Sequence, residues 1–346
     1  MNIFFYDVAI SLPLRQCFTY SSNLKIEKSS RVLVPFGNRK VIGLVIKKSK
    51  VLTGTNIEIK KIISIIDTYP VFNKSIFNTI LWSSEYYHHP IGEVFNTFIP
   101  NQLRKVNNKV IEPLAMEGLN QLSVNEKEKR FNLTSDQSSA LKQLLKLNSF
   151  QPSLLYGVTG SGKTEVYLRL VENCIKDGKS ALILVPEINL TPQLFNRFTS
   201  RFNGEIGLYH SRQTPAQRLK VWLKARFGNI KIVIGTRSAV LMPMKNIGLI
   251  VIDEEHDQSY RQSEGFKFSA RDIGIKRAQE ENIPSVLGSA TPSLQTLRLV
   301  HEEKYKKIDM LTRVDGKNPP KRSAMDINDT SLVRGDAPET LHIIER

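Results

Sequence analysis

The hydrophobic pattern of this chain changes character near residue 133, and the change divides it. Before that point, apolar residues fall in short runs rich in Val, Ile and aromatics: Val8–Leu12, Cys17–Tyr20, Arg31–Pro35, Lys40–Lys47 and Ile57–Ile66. Such runs, separated by turn residues, predict strands. Phe36-Gly37-Asn38 between two of them predicts a hairpin or bulged turn. Ile76, Ile80 and Leu81 are spaced as one face of a helix running from Asn73 to about Tyr87, and Pro90, Gly92 and Pro100 are expected to break up the chain beyond it. Residues 101–132 are polar and charged and read as a connection with little core of its own. A short helix over Ser123–Arg130 is the alternative there.

From Leu133 to about Val300 the runs become wholly apolar and alternate with helical segments: Ser153–Tyr156, Ala181–Val185, Ile230–Ile234, Leu249–Ile252 and Ser285–Leu287. Strands without polar alternation are buried on both faces, so the expected class is α/β, a doubly wound parallel sheet behind a small mostly-β domain. The expected division is 1–100 for that small domain, 101–132 for the connection, 133–312 for the α/β lobe and 313–346 for a connector rich in Lys, Asn, Pro and Asp. No internal repeat is visible.

Charge adds a partner to this outline. The 346 residues hold 49 Lys+Arg against 33 Asp+Glu, a net charge of +16, although the 40% hydrophobic content is ordinary. A surplus of this size favours a polyanion such as nucleic acid; a generically basic surface is the bland alternative. The excess is spread along the chain, with no block of like charges. Cys17 and Cys174 have no C-x-x-C partner, so this sequence offers no zinc ligand set, and the usage fits a reducing compartment. Met1–Asp7 lacks the cationic stretch of a signal peptide, and no apolar run approaches the roughly 20 residues that span a bilayer. A cytoplasmic protein without membrane contact is expected.

The motifs supply chemistry. Gly157-Val-Thr-Gly160-Ser161-Gly162-Lys163-Thr164 follows an apolar strand and opens a helical pattern from Glu165 to Ile175, the setting of a phosphate loop. Its glycines let the backbone curl until several N–H groups point inward, and the helix N-terminus adds positive potential. Lys163 is expected to neutralise the β- and γ-phosphates of ATP and the Thr164 hydroxyl to ligate Mg²⁺. Gly248–His256 ends a buried strand in acids, which places Asp253 to hold Mg²⁺ and Glu254 to orient or deprotonate the attacking water, while His256 reports the γ-phosphate state. Three weaker motifs fall in order around these. Thr134-Ser-Asp-Gln137 lies where an adenine-reading glutamine belongs, and a helix cap by Thr134 fits the same residues, alone or together with it. Gly235-Thr-Arg237-Ser-Ala239 suits phosphate contacts to a single strand, and Gly288-Ser-Ala-Thr291-Pro292 offers hydroxyls that could link the γ-phosphate region to the DNA track.

Together these residues resemble the superfamily-two helicases, and more narrowly the primosomal protein N′ (PriA-type) replication-restart helicases. The phrases that carry the resemblance are Gly157–Tyr167, Val185–Gln193, Val233–Ala239, Ile252–Asp257, Ser259–Gln262, Ala270-Arg-Asp272, Gly288–Pro292 and, in the first domain, Arg31–Gly37 and Tyr86–Gly92. The resemblance implies a RecA-like first helicase lobe behind a 3′-end DNA-binding domain, and ATP-driven 3′-to-5′ movement on forked or single-stranded DNA. It implies primosome proteins, a replicative helicase loader and single-strand-binding protein as partners. Asp257 and the aromatic-rich stretch Tyr260–Phe268 would couple DNA contact to hydrolysis, with Tyr260 and Arg261 on DNA; Phe18 and Tyr20 would serve the 3′ end.

The sequence departs from that pattern in three places. Thr19 stands where the family usually has an acid between two aromatics, residues 101–132 are too few for its winged-helix domain, and neither its zinc-binding cysteines nor its second-lobe motifs occur in the 346 residues. A missing second-lobe arginine implies slow hydrolysis and no unwinding by these residues alone. A non-catalytic module that binds forks or 3′ ends is the competing expectation.

Overall fold

Five short strands of the first segment pair as the period-two pattern requires. The computed structural model describes residues 3–49, 59–67, 69–105, 123–125 and 130–315, with two short stretches at 324–325 and 342–343. Strands β1 (Phe4–Ile10), β2 (Phe18–Ser22), β3 (Arg31–Phe36), β4 (Arg39–Lys48) and β5 (Ser64–Ile65) form an antiparallel sheet in the order β2-β1-β4-β3-β5. The expected hairpin closes with Phe36 opposite Arg39, and Gly37 takes φ +55, a value that a first turn residue of this kind needs glycine to reach. Of the run Ile57–Ile66 only the end is a strand, and 51–58 lie outside the described residues.

Helix α1 (Lys74–Tyr86) starts where Asn73 accepts a hydrogen bond from the Ile76 amide. Gly92 does not break the chain as its identity suggested. It sits inside α2 (Ile91–Thr97), where any Cβ would collide with the Ile10 carbonyl, so the residue is small because α2 lies directly on the end of β1. Where a helix over Ser123–Arg130 was the alternative, the chain starts as β6 (Ser123–Val124), and 126–129 lie outside the described residues.

The α/β part runs α3 (Ser135–Leu144), β7 (Pro152–Gly157), α4 (Lys163–Lys176), β8 (Ser180–Leu184), α5 (Pro192–Arg201), β9 (Phe202–Asn203), β10 (Gly207–Tyr209), α6 (Pro215–Phe227), β11 (Ile232–Gly235), β12 (Ile247–Ile252), α7 (Ala270–Glu281), β13 (Ser285–Ser289), α8 (Leu294–His301) and β14 (Lys306–Met310). Seven of these strands make one parallel sheet in the order β10-β11-β8-β12-β13-β7-β14, while β9 pairs antiparallel with β6. Both edge strands escaped the sequence pattern. In β14 only Ile308 and Met310 are buried, so it alternates as a half-covered strand does. Most of the expected connector, 316–346, lies outside the described residues.

The two parts do not behave as beads on a linker. One buried cluster runs continuously from Phe72, Phe95 and Phe98 of the first part to Trp222, Val240 and Ile273 of the second. Trp222 Nε1 donates to the Phe98 carbonyl (3.1 Å), and Arg226 donates to the carbonyls of Pro70 and Val71 (2.7 Å each). Within the first part, a buried Arg31–Asp67 pair (2.5 Å) also reaches the Leu103 carbonyl and ties β3 to the chain leaving α2. A dry interface of this kind fixes the relative placement that a polar connection alone would leave free.

Candidate active site

Strand β7 ends at Gly157 and the chain curls back into α4 through Gly160 (φ +84) and Gly162 (φ +77), both left-handed, which is what permits the loop. Lys163, first residue of α4, donates to the Gly157 carbonyl (3.0 Å), and its ammonium lies 3.6 Å from Glu254 Oε1. Thr164 comes next on the same first turn. Asp253 and Glu254 leave the end of β12, two strands away, so the phosphate loop and the acids meet at one carboxyl edge of the sheet. Glu254 reaches Lys163 from a left-handed backbone (φ +42), a conformation costing a non-glycine residue about 1–2 kcal/mol.

Asp253 is half-buried. Desolvation, reinforced by the charge of Glu254, pushes its carboxyl up to about 6. A raised carboxyl binds its proton more tightly folded than unfolded, so stability is full below about pH 4 and falls as pH rises towards 6. Asp253→Asn is therefore expected to stabilise the fold by about 2–3 kcal/mol at pH 7.5 and little at pH 4. Urea unfolding at both values checks this; equal stabilities at pH 7.5 would show that the acid is not held against its preference.

The third acid faces the other way. Glu255 is buried and accepts from the Ser293 amide (2.7 Å), Thr296 Oγ1 (2.9 Å) and Arg271 (3.0 Å), tying the end of β12 to α7 and α8. Sequence reasoning passed over it, and strand alternation could not have found it, because the strand ends at Ile252 and Glu254 turns the chain through a left-handed backbone. His256 brings the coupling candidates together: Nδ1 lies 2.9 Å from Ser289 Oγ and Nε2 3.2 Å from Thr291 Oγ1. Asp257 instead caps the following turn, accepting from the Ser259 amide at 2.7 Å.

Several candidates occupy other places than expected. Gln137 completes a capping box with Thr134, so the cap forms, and it also donates to the Ser161 carbonyl of the phosphate loop (3.0 Å). Tyr260 is buried, and its hydroxyl donates to the Asp253 carbonyl (2.6 Å). It is thus a tether from the aromatic stretch to the acid strand and presents no face to a base. Phe266 and Phe268 are likewise buried, against each other and against Tyr87 and His89 of the first part. Ser269 donates its amide to the Tyr87 hydroxyl (3.2 Å). Exposed on this stretch are the cations Arg261 and Lys267. Arg237 spends Nη1 on the carbonyls of Ser259 (3.2 Å) and Arg261 (2.6 Å), bracing the same stretch. In the first part Tyr20 is buried with its hydroxyl on the Pro35 carbonyl (3.0 Å), while Phe18 packs edge-on to Phe36. Thr19 donates to Asp7 Oδ1 (2.9 Å), its register partner on β1, so a carboxylate does adjoin that position from the neighbouring strand.

Three residues near the loop were not singled out in the sequence. The Tyr167 hydroxyl donates to Asp253 Oδ1 (2.9 Å), and Val314 donates its amide to the Gly160 carbonyl (3.0 Å) with the Arg313 side chain beside Gly160. Tyr167 was legible in principle, one helical turn beyond Lys163. Arg313 was not, because its approach depends on β14 pairing beside β7.

The 3′DNA-binding domain (3′BD) family matches residues 7–100, and the DEAD/DEAH box helicase family matches residues 134–300. The Replication restart protein PriA of Haemophilus influenzae is 32% identical over 398 residues, 95% of this chain and 54% of its own length. The chain is similar to the PriA proteins over nearly its whole length. The relative from Rickettsia conorii is 33% identical over 339 residues, 93% of this chain and 48% of its own, and that from Bacillus subtilis 39% over 200 residues, 57% and 25%. The chain thus spans about half the length of the full-chain relatives it matches. Among solved structures, RecG bound to a three-way DNA junction aligns with 57% of this chain and 26% of that one, at 25% identity and a TM-score of 0.42. This similarity accords with the architecture found, a parallel helicase sheet preceded by an antiparallel domain. Among the described residues no helix is long and apolar enough to cross a membrane.

Proposed function

We propose that this chain carries the 3′-end DNA-binding domain and the first ATP-binding lobe of a replication-restart DNA helicase, in which ATP hydrolysis drives 3′-to-5′ movement on DNA. The observation that carries the reading is the meeting of Lys163 and Glu254 at 3.6 Å, beside Asp253, at one edge of the parallel sheet. The residues fit a magnesium nucleotide. Gly160 and Gly162 open the loop backbone, the buried Ser161 hydroxyl has no partner, and Lys163 rests on a carboxylate that phosphate oxygens can replace. Thr164 and Asp253 would hold Mg²⁺, which when bound neutralises charge developing on the phosphates.

Each residue then has a task that its position allows. Lys163 exchanges Glu254 for the β- and γ-phosphates, which frees that carboxylate to orient water and accept its proton as the γ-phosphoryl bond breaks. His256, between Ser289 and Thr291, passes the change to β13 and α8. Tyr260 and Arg237 carry it to the exposed Arg261 and Lys267, the groups placed to meet a DNA backbone. Primosome proteins, a helicase loader and single-strand-binding protein are proposed as partners through the family.

The division into 1–100, a 101–132 connection and the lobe to 312 is retained as a proposal, without the winged helix.

Two titrations test the reading. Calorimetry with Mg²⁺ and a non-hydrolysable ATP analogue is expected to give saturable heat; a flat trace removes the nucleotide site. Affinity for a 3′-ended fork should fall with salt, about forty-fold between 50 and 200 mM if three phosphates are neutralised. Salt-independent binding would mean that the basic surplus does not serve DNA.

A further inference from the structure

Tyr167 makes one hydrogen bond for which the nucleotide chemistry above has no role. It stands on α4 four residues after Lys163, is buried, and points its hydroxyl at Asp253 Oδ1 from 2.9 Å. The opposite wall is Gly288 at the end of β13, where a Cβ would overlap the Tyr167 hydroxyl and come within 3.2 Å of Asp253 Oδ1. Three sequence-distant segments, the phosphate-loop helix, the acid strand and the Gly288–Pro292 motif, therefore converge on a single O–H···O contact. Glycine at 288 is explained by the space that this hydroxyl occupies.

We propose that Tyr167 is a positioning residue for Asp253, fixing its carboxylate in the rotamer that receives the divalent ion. The inference rests on the reading of the site as a magnesium-nucleotide site and adds a determinant of its metal dependence. A carboxylate has about four lone-pair directions, and a phenol, which can only donate here, takes one of them and leaves the others for the ion. Without that donor a half-buried Asp253 can rotate towards Lys163, whose charge it feels, and each metal-binding event must then first reorder the side chain. The main chain at the same residue is held independently, because Tyr260 donates to the Asp253 carbonyl (2.6 Å), so loss of the Tyr167 hydroxyl frees the side chain alone.

A buried tyrosine also needs a partner for purely structural reasons, and the test separates the two roles. Tyr167→Phe keeps the ring and removes the donor. Gly288→Ala keeps the donor and displaces it sterically. Binding of a fluorescent non-hydrolysable ATP analogue is measured to the full 346-residue chain, in EDTA and then across a Mg²⁺ titration, with thermal melting of each variant alongside. Both variants are expected to bind within twofold of wild type in EDTA and to need about tenfold more Mg²⁺ for half-saturation, the loss of roughly one hydrogen bond to a charged group. A wild-type Mg²⁺ requirement in a folded Tyr167→Phe overturns the proposal. So does an equal loss with and without metal, which marks a general loop defect. If Tyr167→Phe melts below the assay temperature, Gly288→Ala decides by the same criterion. Failure of the wild-type chain to bind the analogue at all overturns the nucleotide reading, and the proposal with it.

Discussion

Lys163→Ala is expected to abolish nucleotide binding while leaving DNA affinity within about twofold of wild type. The ammonium is the cation of the loop placed to meet phosphate, held 3.0 Å from the Gly157 carbonyl and 3.6 Å from Glu254. Charged hydrogen bonds of this kind contribute about 1.5–3 kcal/mol each, so loss of contacts to two phosphates weakens binding by about a hundredfold or more. The variant also leaves Glu254 facing incoming phosphates without a counter-charge, which adds repulsion to the lost attraction. DNA contact is proposed for the first domain and for Arg261 and Lys267, whereas the Lys163 ammonium is engaged with Gly157 and Glu254. Calorimetry for the analogue and fluorescence anisotropy for a labelled fork measure the two affinities. Retained nucleotide affinity in a folded Lys163→Ala would sink the phosphate-loop assignment, and a matching loss of DNA affinity would show that the sites are not separate.

Trp222→Ala is expected to have the largest effect on stability, about 3–5 kcal/mol. The indole is 1% exposed, sits in the cluster that runs through both parts of the chain, and donates to the Phe98 carbonyl. Its removal leaves a cavity at the seam and strands that carbonyl. Because the same side chain joins the first domain to α6, its loss should also separate their unfolding. Scanning calorimetry of the wild type should give one main transition, and of the variant two, the earlier lowered by roughly 10 °C, as a few kcal/mol implies for domains of this size. An unchanged single transition would mean that the seam is held elsewhere. If the domains come apart, the contact of Tyr87 and His89 with Phe266 is lost as well, and with it the path by which the first domain braces the aromatic stretch.

That path qualifies the expectation that the resemblance gave for residues 260–268, with Tyr260 on DNA. The rings are instead consumed in packing: Phe266 against the first domain, Phe268 against Phe266, Tyr260 against the acid strand. In the function proposed here such a stretch would connect DNA to the nucleotide through its exposed cations and its packed rings.

Local chemistry was legible from sequence wherever neighbours along the chain suffice. The phosphate loop needs left-handed glycines and a helix start within eight residues, and Gly157–Thr164 supplies them without help from elsewhere. Buried parallel strands announce themselves because both faces must be apolar, which identified β7, β8, β11, β12 and β13. The family emerged from the same local phrases. Tertiary structure alone decided which way a side chain at a strand end turns, because that depends on what lies across the gap. It sent Glu255 inward to Arg271, put the Tyr167 hydroxyl in the space that Gly288 leaves, buried Tyr20 and Tyr260, and joined two apparent domains through Trp222. These contacts join residues from seven to more than a hundred positions apart, and no periodicity in one segment encodes the surface that it meets.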